Sequence, residues 1–174
     1  GTSLCEDSFC KTTTIQAITG NDAGKKKYVT GTIEAKKDVE YLLTIDLVNY
    51  SGKSITNAVL KAEGISIDVN SLTVNGNVVE ESTANLGTIG VDSPLRIQLI
   101  FKATSSGASL IKIGINSLTQ TELDLTYNIN VNPNKKFTLE MTPKVIVPFM
   151  DNVLFFEAKD ANTPLNGVII SLKS

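Results

Sequence analysis

Hydrophobic and polar residues alternate along much of the chain up to Val131. In residues 41–48 (YLLTIDLV), Tyr41, Leu43, Ile45 and Leu47 fall on one side, with Thr44 and Asp46 on the other. Residues 95–103 (LRIQLIFKA) set Leu95, Ile97, Leu99 and Phe101 against Arg96, Gln98 and Lys102. In residues 123–131 (LDLTYNINV), Leu123, Leu125, Tyr127, Ile129 and Val131 alternate with Asp124, Thr126, Asn128 and Asn130. A period of two turns one face of each segment to a core and the other to water, the pattern of antiparallel strands in a sandwich. The same reading predicts strands at 12–19, 29–35, 56–62, 71–74 and 109–115. No stretch repeats apolar residues at helical spacing behind a cap, so almost no helix is expected.

Turn chemistry separates these segments. NYSGKS (49–54), VNGNVV (74–79), ANLGTIGVDSP (84–94) and TSSGAS (104–109) supply Gly, Asn, Ser and Pro where the backbone reverses. Near residue 133 the pattern resets: Pro133 cannot continue a ladder, and Lys135 and Lys136 follow it. The expected organisation is a β-sandwich with a Cys-containing N-terminal segment over 1–133. A partial second β-module over 134–174 then supplies strands at 137–142, 153–159 and 168–172.

Composition adds limits. The chain has 174 residues, 41% hydrophobic and 20% charged, with a net charge of −2, which is ordinary globular composition. A pI near 5.2 and no basic patch argue against nucleic acid. The run Lys25-Lys26-Lys27 reads as a solvated hairpin tip. No apolar run approaches the roughly 18–20 residues that span a bilayer, so no membrane span is expected in this chain.

The sequence holds no histidine, which removes Ser-His-Asp and Cys-His nucleophiles. GNDAGKKK (20–27) lacks the Lys-Ser/Thr ending and the helix of a phosphate loop. No tryptophan offers a sugar platform. Catalytic, cofactor-binding and metal-ligating residues are therefore all expected to be absent, and the chain is not expected to be an enzyme. Cys5 and Cys10 pair as a disulfide across four residues, which ties down a fraying terminus and implies an oxidising compartment. The alternatives are two free thiols or, with carboxylates completing a tetrahedron, a zinc site. Asn49-Tyr50-Ser51 is a sequon in a turn, so Asn49 is a candidate glycan acceptor; the alternative is a chance match. Phe149, Phe155 and Phe156 offer apolar surface for a subunit contact, or core packing against a third layer.

From 39 to 131 the chain resembles the immunoglobulin-like β-sandwich repeats of microbial (archaeal or bacterial) cell-surface and S-layer-type proteins. The matching pieces are Asn49 to Gly52, Thr56 to Val59, Leu86 to Ile89 and Pro94 to Phe101. From Phe137 on, Pro143, Val145, Val147, Asp160, Pro164, Leu165, Gly167 and Val168 follow the opening half of another such module, which in the family continues for several more strands. The resemblance implies an all-β, immunoglobulin-like antiparallel sandwich and a non-catalytic extracellular or cell-surface structural protein. Its partners would be its own copies or neighbouring surface-protein domains. The alternative is a ligand- or protein-binding ectodomain fragment of a larger surface receptor or enzyme. An incomplete C-terminal sheet also suggests strand donation between subunits, with 11–19 (KTTTIQAIT) as donor and Thr13, Ile15 and Ala17 as contact residues.

Overall fold

The computed structural model describes residues 4–134, 137–140, 153–160 and 163–173, with side chains over 4–134. The described elements are β1 (Leu4–Glu6), β2 (Phe9–Ala17), β3 (Lys26–Tyr28), β4 (Ile33–Lys36), β5 (Glu40–Asn49), β6 (Ile55–Ile65), β7 (Asp68–Val74) and β8 (Asn77–Val78). They continue with β9 (Thr83–Ile89), β10 (Pro94–Lys102), β11 (Gly107–Asn116), β12 (Thr121–Asn132), β13 (Phe137–Glu140), β14 (Val153–Asp160) and β15 (Thr163–Lys173). The chain divides into two compact units, Gly1–Pro133 and Asn134–Ser174.

Unit 1 is a sandwich. One sheet runs β1-β2-β5-β10-β7-β8, with β3 also on β2, and the other runs β4-β12-β11-β6-β9. Every pairing is antiparallel except β4 on β12, which is parallel (Ile129↔Ile33 to Asn132↔Lys36). The alternating side chains meet between the sheets: Leu43, Ile45, Ile97 and Phe101 from one, Leu60, Ile111, Ile113 and Leu123 from the other, all essentially out of water. Tyr41 stacks on Phe101 with ring centroids 5.4 Å apart. The outward face of the first sheet is tied by cross-strand polar pairs. Arg96, opposite Asp46, grips it through Nε at 2.7 Å and Nη2 at 3.1 Å, and Gln98 Nε2 donates to Thr44 Oγ1 at 3.2 Å.

Unit 2 is a three-stranded antiparallel sheet in the order β13-β14-β15, running Phe137↔Asp160 and Val153↔Lys173 at its ends. The fold is thus all-β, an immunoglobulin-like antiparallel sandwich followed by a small sheet.

Two sequence expectations need correction. Residues 83–89 form β9, although the Asn and Gly there read as a turn. The strand is an irregular edge: its register on β6 shifts twice, and Gly87 takes φ 65° while its N–H bonds Asn85 Oδ1. Residues 29–35 are not one strand. The chain leaves β3 on the first sheet, turns through Gly31, and joins the second sheet as β4.

β6 ends where the chain crosses between sheets, and Gly64 sits at that corner, opposite Ile111. A methyl group on Gly64 would meet the carbonyl oxygen of Ile67. Gly64→Ala should therefore destabilise unit 1 by roughly 1–3 kcal/mol, read as a lower urea midpoint at unchanged slope.

Candidate functional site

The strands of unit 1 end in two poles. At the first, Phe9 stands opposite Asn49, Pro94 opposite Val48 and Ile55 opposite Ile89. Asn49, the last residue of β5, is fully buried. Its Nδ2 donates to the carbonyls of Lys53 (2.8 Å), Gly90 (3.0 Å) and Ile89 (3.2 Å). Its Oδ1 accepts from the Ser51 backbone N–H (3.0 Å) and Ser51 Oγ (2.7 Å). One amide therefore closes the β5–β6 loop and ties the first sheet to the end of β9 in the second. In the folded chain the nitrogen that would carry sugar lies inside, held by three carbonyls, which disfavours the glycan reading.

Beside it, Glu122 is 5% exposed. Oε2 accepts from Ser8 Oγ at 2.5 Å, and Oε1 accepts from Gln120 Nε2 (3.0 Å) and Ser117 Oγ (3.1 Å). The Ser8 N–H also donates to the Glu122 carbonyl. Burial pushes this carboxyl up, but the hydrogen bonds from Ser8, Gln120 and Ser117, with the charge of Lys53, outweigh it and hold the group below its ordinary value. The network joins the β1–β2 turn to the β11–β12 turn. Cys5 and Cys10, opposite each other in the β1–β2 hairpin, form the disulfide.

β2 is not a free segment. It pairs with β5 from Phe9↔Asn49 to Ala17↔Tyr41, and its other side carries β1 and β3. Ile15 and Ala17 lie in the core, and Thr13 Oγ1 shares a 2.7 Å hydrogen bond with the Tyr127 hydroxyl. Burial, opposed by that bond, pushes Tyr127 up to about 12. Thr13, Ile15 and Ala17 thus face their own sandwich rather than a neighbouring subunit. Phe149 lies outside the described residues. Phe155 and Phe156 belong to β14, opposite Ser171 and Ile170, and their side chains lie outside the described set.

The second pole holds a cleft of about 510 Å³ between the β2–β3 hairpin and β4. Ile15, Ala17, Ala35 and Tyr41 line its apolar part, and Lys25, Lys26, Lys27 and Lys36 are its cations. Asp22 Oδ1 accepts from Lys25 Nζ (3.2 Å) and Oδ2 from Lys36 Nζ (3.4 Å), and these bonds hold its carboxyl below the ordinary value. Glu34 is engaged by Asn130 and Asn132, each at 2.9 Å, and the Lys36 N–H donates to the Tyr41 hydroxyl at 2.7 Å. Lys26 and Lys27 make no ion pair with another described residue. The lysine run was visible in the sequence as charge. Its meeting with Asp22, Lys36 and Tyr41 was not, because three separate elements supply them. Chemically, the cleft suits an anion attached to an apolar body. Among the described residues no group of three or more His, Cys, Asp or Glu is placed to hold a metal, and no helix is long and apolar enough to cross a membrane.

No protein-family model matches the sequence, and no curated protein matches it. Several solved structures are similar at low scores. A CARDB domain from Pyrococcus furiosus is 12% identical, covering 70% of this chain and 94% of its own, with a TM-score of 0.35. The secreted serine protease VesC from Vibrio cholerae is 12% identical over 73% of this chain and 29% of its own, with a TM-score of 0.42. The N-terminal domain of PorA is 17% identical over 70% of this chain and 97% of its own, with a TM-score of 0.34. At these scores nothing about the chemistry of this chain is drawn from them.

Asn49→Ala takes a donor from the carbonyls of Ile89, Gly90 and Lys53, of which Gly90 keeps the Ser93 N–H and Lys53 the Ser51 hydroxyl, so urea unfolding should show a loss of roughly 1–3 kcal/mol. Soluble protein made in a glycosylating host should carry no added mass at Asn49 by peptide mass spectrometry. Glu122, held below its ordinary 4.5, contributes stability that is complete above that pH and is lost as pH falls through the lower folded value. The stability lead of the wild type over Glu122→Gln should therefore shrink in urea titrations below about pH 4.5.

Proposed function

We propose that the protein is a non-catalytic structural module of a cell surface, an immunoglobulin-like unit of a surface layer, stalk or filament. The observation that carries this reading is where the chain crosses the boundary of unit 1. It comes in through β1, beside the disulfide at the Asn49 pole, and leaves through the end of β12, next to Lys36 at the cleft pole. β12 has 12 residues, a length of about 40 Å at the usual rise. A disulfide suits the oxidising exterior. Strand addition between copies has the outermost strands to use, β1, β3 and β8 of the first sheet and β4 and β9 of the second; β2 is occupied on both sides.

The cleft favours a second reading, a binding ectodomain of a larger surface receptor or enzyme that takes an acidic, partly apolar ligand. On intact source cells, a membrane-impermeant amine reagent should modify Lys26 and Lys27, as read by peptide mass spectrometry. Labelling that appears only after lysis sinks the surface role. In the second reading, calorimetry with a short glutamate-rich peptide shows heat that Lys26→Glu/Lys27→Glu removes.

A further inference from the structure

We infer that unit 1 carries tension along its length, and that the Cys5–Cys10 bond passes this tension around β1 directly into β2. The inference rests on the structural role proposed above and adds a mechanical one. β1 lies antiparallel on the start of β2, with Leu4 opposite Lys11, Cys5 opposite Cys10 and Glu6 opposite Phe9. A pull on the chain ahead of Leu4 opens this hairpin from its free end, one pair at a time. The sulfur bridge sits at the second pair and stops the opening there. The load then reaches Cys10 in β2, opposite Val48.

From that point the geometry changes. β2 is held on β5 in unbroken register from Cys10↔Val48 to Ala17↔Tyr41. Drawn out along its own axis, it has to slide past β5, so the ladder bonds bear the load together instead of in turn. The same holds at the other pole. β12 leaves there and has to slide past both β11 and the parallel β4. Glu34 on β4 holds Asn130 and Asn132 of β12, and the Lys37 N–H donates to the Asn132 carbonyl at 2.8 Å. Both loaded strands point from the Asn49 pole to the cleft pole, and they lie in different sheets. Opposite pulls on them are resisted inside the sandwich by Thr13–Tyr127 near the middle and by Ser8–Glu122 at the pole.

The full chain, held by handles at its two ends in an optical trap, tests this. Without reductant, the sandwich should rupture with no earlier step from β1. With dithiothreitol, or in Cys5→Ser/Cys10→Ser, a low-force step should come first. The total length released should then grow by about 14 Å: the separation of 5 between Cys5 and Cys10 at roughly 3.6 Å a step, less the 3.8 Å their bridged Cα atoms already span. Glu34→Ala should lower the rupture force at unchanged released length. The same early step in the oxidised chain, or a sandwich that opens gradually at the force of that step, overturns the inference. The reductant arm reads wild-type protein, so a cysteine variant that fails to fold leaves the test intact. Absence from the cell surface with this force pattern present removes the surface role and upholds the load path. Surface display with the pattern missing does the reverse.

Discussion

Leu43, Ile45 and Leu47 from one sheet, and Ile111, Ile113 and Ile115 from the other, share a single apolar layer that is almost completely closed to water. Burying one face of each sheet is the dominant favourable term, and it dictates what happens at the ends. Along a strand, backbone donors and acceptors are satisfied by the ladder. Where strands stop and the layer continues, they are not, and each unmet buried group costs about 1–3 kcal/mol. Asn49 and Glu122 answer that need at one pole. Each is a polar side chain withdrawn from solvent with both ends of its polar group bonded. The poles are thus places where the fold has to use hydrogen bonds in place of packing.

Much of this could be read from residue order. β5, β10 and β12 alternate over most of their length because one side of each meets the core and the other meets water. β9 was hidden because an edge strand is paired on one side only, tolerates bulges, and uses the Asn and Gly that elsewhere make turns. The expected strand 29–35 ran β4 back through the link from β3, because alternation says which residues point inward, not where the chain passes from one sheet to the other. The N-terminal segment was recognised as a strand, but its partner β5 lies about thirty positions on, and such non-local pairing leaves no local mark.

Asn49 shows the limit most clearly. Asn-Tyr-Ser after a strand is turn chemistry, and turn chemistry reads the same whether the amide points to water or back beneath the loop. Only the arrival of Gly90 and Ile89 from a distant segment decides the direction. The cleft repeats the point with charge. Lys25 to Lys27 and Asp22 stand together in the β2–β3 hairpin, but Tyr41 joins them only because β5 pairs with β2, and Lys36 only because β4 passes beside the hairpin.

The distribution of exposed apolar side chains bears on how such a unit would meet its neighbours. The outward face of the first sheet is furnished with in-register polar pairs, Asp46 with Arg96 and Thr44 with Gln98, which are satisfied within the chain. Tyr50, Val91 and Leu118, by contrast, sit in three different loops at the Asn49 pole and are all exposed. The Asn49 amide and the Glu122 carboxylate brace those loops from below, so their ordering costs little further entropy when something docks there. A contact made at a braced pole lies on the axis along which β2 and β12 run. End-on contact and axial load are then two uses of one geometry: the bonds that satisfy the ends of the core also stiffen the surface through which the proposed strut would be joined.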